Sequence, residues 1–165
     1  VIKEVNARFA DPSTPQPRWV DSFNYPGAAP IAYNLLAFSR DGNVYWRVEQ
    51  AGVDGAERVV AAGWLIYRTK PTRVLAEARA GVQTKHRRHG IYSWVLKSIR
   101  KSFRRPILSD RQLSAANLAL WKKVGVLDEA TGRYKLNPRP WWMESLFQSF
   151  LAVDGELPMP KEPRK

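Results

Sequence analysis

The chain has 165 residues, 44% hydrophobic and 25% charged, the make-up of one domain with a real core. It has no cysteine, which excludes disulfides, thiol catalysis and zinc–thiolate sites, and only two histidines, His86 and His89, which argues against a histidine-rich metal site. A net charge of +12 points to an anionic partner: nucleic acid, a phosphorylated cofactor or an acidic protein surface.

No apolar run approaches the ~20 residues a membrane helix needs. The opening residues, VIKEVNARF, lack a signal peptide's charged start and apolar stretch. The expectation is a cytoplasmic protein with no membrane partner.

Residues 1–10 alternate weakly through Ile2, Val5 and Phe9 and predict a first strand. Residues 11–30 carry Pro12, Pro15, Pro17, Pro26 and Pro30, which no regular helix can run through. At most a short helix fits over 18–24, with Trp19 and Phe23, four apart, pinning it to the core.

From Ile31 the pattern changes to strands. IAYNLLAFSR and VYWRVEQAG are joined by Asp41-Gly42-Asn43, a strong hairpin signal. VDGAE then leads into RVVAAGWLIYRT, which Pro71 closes, and RVLAEARAGV follows. Ile31 to Val82 is therefore expected to be a four-stranded antiparallel meander.

The helix over 91–103 is the clearest element. Ile91, Trp94, Val95, Ile99 and Phe103 fall on one side at three-to-four spacing, and Lys97, Arg100, Lys101 and Arg104 on the other. Ile107-Leu108 is a short buried strand. Leu113, Asn117, Leu120 and Val124 share one face of a second helix, ended by Gly125 as its C-terminal cap. RYKLN is a last strand. WWMESLFQSFLAV, opened by Pro140, predicts a third helix with Trp142, Leu146, Phe150 and Val153 inward. Residues 1–153 are expected to form a single domain and 154–165 a mobile tail.

Strand 73–82, helix 91–103 and strand 106–109 make a β-α-β crossover, right-handed if the two strands are parallel neighbours. The whole is an α+β pattern with a mixed, mostly antiparallel sheet flanked by helices. Between Glu77 and Asp110 there is no acid, yet the stretch carries Arg79, Lys85, Arg87, Arg88, Lys97, Arg100, Lys101, Arg104 and Arg105. The helical part of that run is either a solvated basic face or a surface for a phosphate backbone. The turn before the helix is more specific. Gly90 lets a backbone approach closely, the helix start supplies unpaired N–H donors, and Arg87 and Arg88 can pair with phosphate oxygens. A charged turn that simply caps a helix is the alternative.

This order of elements resembles the GNAT acetyltransferase superfamily. The loop Arg87-Arg88-His89-Gly90-Ile91-Tyr92 is similar to the family's pyrophosphate loop, Arg/Gln-x-x-Gly-x-Gly/Ala. Leu120-Trp121-Lys122-Lys123-Val124-Gly125 resembles its Leu-Tyr-x-x-x-Gly ending. The resemblance covers about residues 31–126 and is best over 73–125. It implies an N-acetyltransferase that takes acetyl-coenzyme A as cosubstrate and an amine of a protein, RNA or small molecule as acceptor. The pyrophosphate would rest on Arg87, Arg88, His89, Gly90, Ile91 and Tyr92, and the pantetheine would pair with the strand edge at Ala80–Val82. Asn117 would contact the pantetheine arm, a role the family often gives to the position held here by Ser114. Glu77 would be the general base, directly or through water; the plainer reading is a glutamate facing solvent or pairing with Arg73 or Arg79.

Two positions depart from the family pattern. The loop's last small residue is Tyr92, which must point away from the phosphates if the loop keeps its usual shape. The family's acid tyrosine falls at Trp121, whose indole is a donor but no usable acid, which leaves Ser114, Tyr92 or water. The sequence therefore also fits a catalytically weak GNAT-like binding protein or a basic nucleic-acid-binding domain.

Overall fold

The computed structural model describes residues 1–70 and 73–136. Its strands are β1 (Arg18–Tyr25), β2 (Ile31–Arg40), β3 (Asn43–Gln50), β4 (Val59–Arg68), β5 (Val74–Val82), β6 (Ile107–Leu108), β7 (Gly125–Asp128) and β8 (Arg133–Leu136). They form one mixed sheet in the order β1-β2-β3-β4-β5-β6-β8-β7. Among the described residues the helices are α1 (Ile2–Ala10), α2 (Ile91–Phe103) and α3 (Ala115–Val124). Among the described strands only β5 and β6 pair in parallel; the other neighbours are antiparallel. This is the expected α+β architecture with a mostly antiparallel sheet. Pro71, the third helix expected after Pro140 and the tail lie outside the described residues.

Two N-terminal expectations are overturned. Residues 2–10 are a helix, not a strand. Ile2, Val5, Asn6 and Phe9 fall at helical spacing and are its less exposed side, with Val5 fully buried against Val59 and Ala62. Phe9 meets Phe38 edge-on, 4.8 Å between centroids. Residues 18–25 are a strand, not a short helix, so the meander has five strands rather than four. The period-2 signal was there in Asp21, Phe23 and Tyr25, all less exposed than Ser22 and Asn24 between them. A bulge between Trp19 and Asp21 breaks the alternation.

The hairpin signal is met as its chemistry requires. Asp41 and Gly42 both adopt positive φ (51° and 75°), the pattern of a two-residue turn whose twist suits its strands, and Arg40 pairs with Asn43 to close it.

α2 spans the residues its periodicity marks. It buries Ile91, Val95, Leu96, Ile99 and Phe103 in the main core, each worth about 1.5–3 kcal/mol. Arg104 ends it at φ 55°, its N–H bonded to the Arg100 carbonyl at 2.8 Å.

α3 differs from its expected inner stripe. Leu113 precedes the helix, Ser114 is its N-cap, and Trp121 and Val124 are its buried residues. Gly125 follows the helix with φ −114° and ψ 176°, so it is extended and opens β7, a strand the sequence did not signal, rather than forming a left-handed cap. A Cβ there would meet the Lys135 carbonyl at 2.8 Å and the Trp121 ring at 3.1 Å, so this close approach requires glycine.

Candidate functional site

β5 has two unlike edges. Against β4 it is paired along its length, with one extra residue, Ala78, bulged between the Glu77–Leu65 and Arg79–Trp64 pairs. Against β6 the parallel register covers only Leu75–Ile107 and Ala76–Leu108. Beyond Ala76 the strands part, and a cleft of about 810 Å³ opens there.

Glu77 stands where the pairing stops, 7% exposed. Oε1 accepts from the Asp110 backbone N–H at 3.1 Å and from Asn117 Nδ2 at 3.0 Å. Oε2 accepts from Trp121 Nε1 at 3.2 Å and from the Tyr92 hydroxyl. A carboxylate has about four lone-pair positions, and all are filled. The side chain thus does what the missing ladder would have done: it ties β5 to α2, to the segment after β6 and to α3. It neither faces solvent nor pairs with Arg73 or Arg79.

The neighbours follow from that hub. Tyr92 turns inward from the first turn of α2, away from the preceding loop, and its ring stacks on Trp46 at 5.9 Å. Burial, then the Glu77 charge, pushes its phenol pKa well above the ordinary value. Trp121 is fully buried. Ser114 caps α3, accepting the Asn117 N–H at 3.2 Å, while Asn117 sends its amide to Glu77. Both residues also line the cleft.

The loop before α2 supplies the opposite wall. A turn of 3-10 helix at Thr84–His86 leads to Arg88 and Gly90, both at positive φ (67° and 75°). Gly90 is the N-cap of α2, no side chain caps the helix, and its first turn holds no acid. The first intrahelical bond runs from the Trp94 N–H to the Gly90 carbonyl, so the N–H groups of Ile91, Tyr92 and Ser93 lack helical partners. Arg87 and Arg88 are exposed and line the cleft, Arg87 Nε donating to the Val82 carbonyl at 3.2 Å.

The two histidines sit differently. His86 is buried, and its pKa is lowered by that burial, then by Lys85 and His89. The Tyr33 hydroxyl lies 2.7 Å from His86 Nδ1 and 2.8 Å from His89 Nδ1. One hydroxyl has one proton to give, so one ring receives it and the other donates its own N–H. His89 stacks on Tyr25 at 4.0 Å and is absent from the cleft lining, where His86 appears instead. Both rings hold the loop to β2 through the Tyr33 hydroxyl, and of the two only His86 borders the cleft.

The other expected residues, Ala80, Val82, Arg87, Arg88, Gly90, Ile91, Tyr92, Asn117, Glu77 and Ser114, all border the cleft. Sequence reasoning missed Asp110. Its position just past a short parallel strand was the available signal, since ligands in such sheets gather at carboxyl ends of strands.

A second, basic groove of about 430 Å³ lies between α2 and α3, bordered by Lys97, Arg100, Lys101 and Lys123. Asp21 sits in it, already accepting from Trp94 Nε1 at 3.0 Å and Ser98 Oγ at 2.7 Å.

Among the described residues no three His, Asp or Glu converge on a metal position, and no helix is long and apolar enough to cross a membrane. No protein-family model, no curated protein and no solved structure matches this chain.

Proposed function

We propose that the cleft binds acetyl-coenzyme A and that the chain is a GNAT-like N-acetyltransferase. One observation carries this reading. A parallel strand pair opens after two residue pairs, and the open end adjoins an uncapped helix N-terminus flanked by Arg87 and Arg88. A pyrophosphate needs convergent N–H donors and compensating cations, and that wall offers both. The freed edge of β5 at Ala80–Val82 is the place for the pantetheine amides. The thioester would then lie near the splay, and an amine would attack it directly. The basic surface favours an acidic protein or an RNA as the bearer of that amine.

The test is calorimetry with acetyl-coenzyme A on the wild type and on an Arg87→Ala/Gly90→Asp double variant. Binding at about micromolar Kd in the wild type, lost in the variant, supports the reading. No binding by the wild type overturns it.

A second reading has its own observation. Glu77 is saturated and Trp121 stands where the resemblance expects an acid tyrosine. A protein that binds the cofactor and turns over slowly, acting through contact with a cellular partner, fits those two facts. Retained acetyl-coenzyme A binding without acetyl transfer to any amine would select it.

A further inference from the structure

Glu77 is the carboxylate a sequence reading favours as base, yet each of its acceptor positions is filled by a group of the protein itself. A base must present a free lone pair to the proton it takes. Among the described residues Asp110 is the other carboxylate on the cleft lining. Its Oδ1 accepts the Arg111 N–H at 2.6 Å, and its Oδ2 accepts no hydrogen bond among the described residues. It lies two residues past Leu108, at the carboxyl end of the parallel strand and beside the splay.

We propose that Asp110, not Glu77, receives the acceptor amine, and that the acceptor is an alkylammonium group. The inference rests on the cofactor reading above. Glu77 is then a positioning residue. By taking the Asp110 backbone N–H it sets where the Asp110 side chain starts.

The groups facing Asp110 are Glu77 from β5, Tyr92 from α2, its neighbour Arg111, and Arg133 from β8. Arg133 is itself engaged, its Nε donating to the Ser109 carbonyl at 2.6 Å. Glu77 is saturated and Arg133 is engaged, so Asp110 Oδ2, on the cleft lining and without a hydrogen-bond partner among the described residues, is the acceptor an incoming ammonium would meet. An ammonium fits there, and a neutral or acidic acceptor gains nothing.

In the transfer step the ammonium gives one proton to Asp110 Oδ2, and the freed nitrogen bonds to the thioester carbonyl carbon. The carbon–sulfur bond breaks with its electron pair on sulfur. Nitrogen sheds a second proton as the amide forms, and the thiolate takes one up. The proton on Asp110 passes to solvent.

The experiment needs no knowledge of the natural acceptor. S-(2-aminoethyl)-coenzyme A carries an ammonium where the amine would arrive; S-propyl-coenzyme A is its uncharged counterpart. Calorimetry on the wild type should show a preference of about tenfold or more for the ammonium conjugate. Asp110→Asn, which keeps the backbone N–H and the Oδ1 acceptor, should bring the ratio of the two affinities to about one. Asp110→Glu should restore part of the preference. Equal affinities in the wild type, or a preference that survives Asp110→Asn, overturn the assignment and leave the cofactor reading standing. Binding of neither conjugate by the wild type overturns both.

Discussion

The two edges of β5 make an instructive contrast. One is zipped to β4 so closely that glycine is required: a Cβ on Gly63 would meet the Trp46 ring at 2.6 Å and the Arg79 carbonyl. The other carries two parallel pairs and then yields to a cleft. The same strand satisfies its surroundings by backbone on one side and, past Ala76, by one carboxylate on the other. Backbone pairing is repetitive and closes space. A side chain with four donors from three segments holds the same elements together at arm's length, and so leaves room for a ligand.

The largest expected effect is at that carboxylate. Glu77→Ala leaves the Tyr92 hydroxyl, the Trp121 indole, the Asn117 amide and the Asp110 N–H without their acceptor. It should destabilise the protein by about 3–5 kcal/mol in urea unfolding. A loss below about 1 kcal/mol would mean that water replaces the carboxylate and the splay does not depend on it.

Next comes the closed edge. Gly63→Ala should cost about 1–3 kcal/mol by forcing β4 away from Trp46 and Arg79. If the closed edge is as rigid as its contacts imply, this one methyl should also lower the affinity of any cleft ligand, since β5 carries the cleft wall. Stability and affinity measured on the same variant would separate the two effects.

The smallest effect is a pH dependence. His86 is buried, so its pKa in the folded protein lies below the ordinary 6.5. The unfolded chain therefore binds the proton more readily, and stability falls as pH drops below about 6.5. His86→Gln should flatten that acid limb in unfolding curves measured between about pH 7 and 5. An unchanged limb would place the sensitivity elsewhere in the protein.

How much of this was legible depends on range. α2 was readable residue by residue, because a 3.6-residue period over thirteen positions cannot be mistaken for alternation. The Asp41-Gly42 turn was readable because positive φ at both positions selects those residues. In α1, Ile2, Val5 and Phe9 are too few to decide between the two periods. In β1 the apolar alternation is carried by Phe23 and Tyr25 alone, between flanking prolines and a bulge, which is too little to set a period of two. β7 was not legible because two apolar residues, Val126 and Leu127, are too short a run to show alternation, and both lie exposed at the sheet edge.

The site divides in the same way. The sequence alone determined the loop, because glycine, the arginines and a helix start lie within six consecutive residues and act locally. It also placed a glutamate in the strand before that loop. Only the tertiary structure decided what the glutamate does. Its partners come from 15, 33, 40 and 44 residues away, on α2, past β6 and on α3. No local pattern encodes such convergence. It arises when packing of the two helices against the sheet brings four donors to one carboxylate and leaves Asp110 beside it with an oxygen that accepts no hydrogen bond among the described residues.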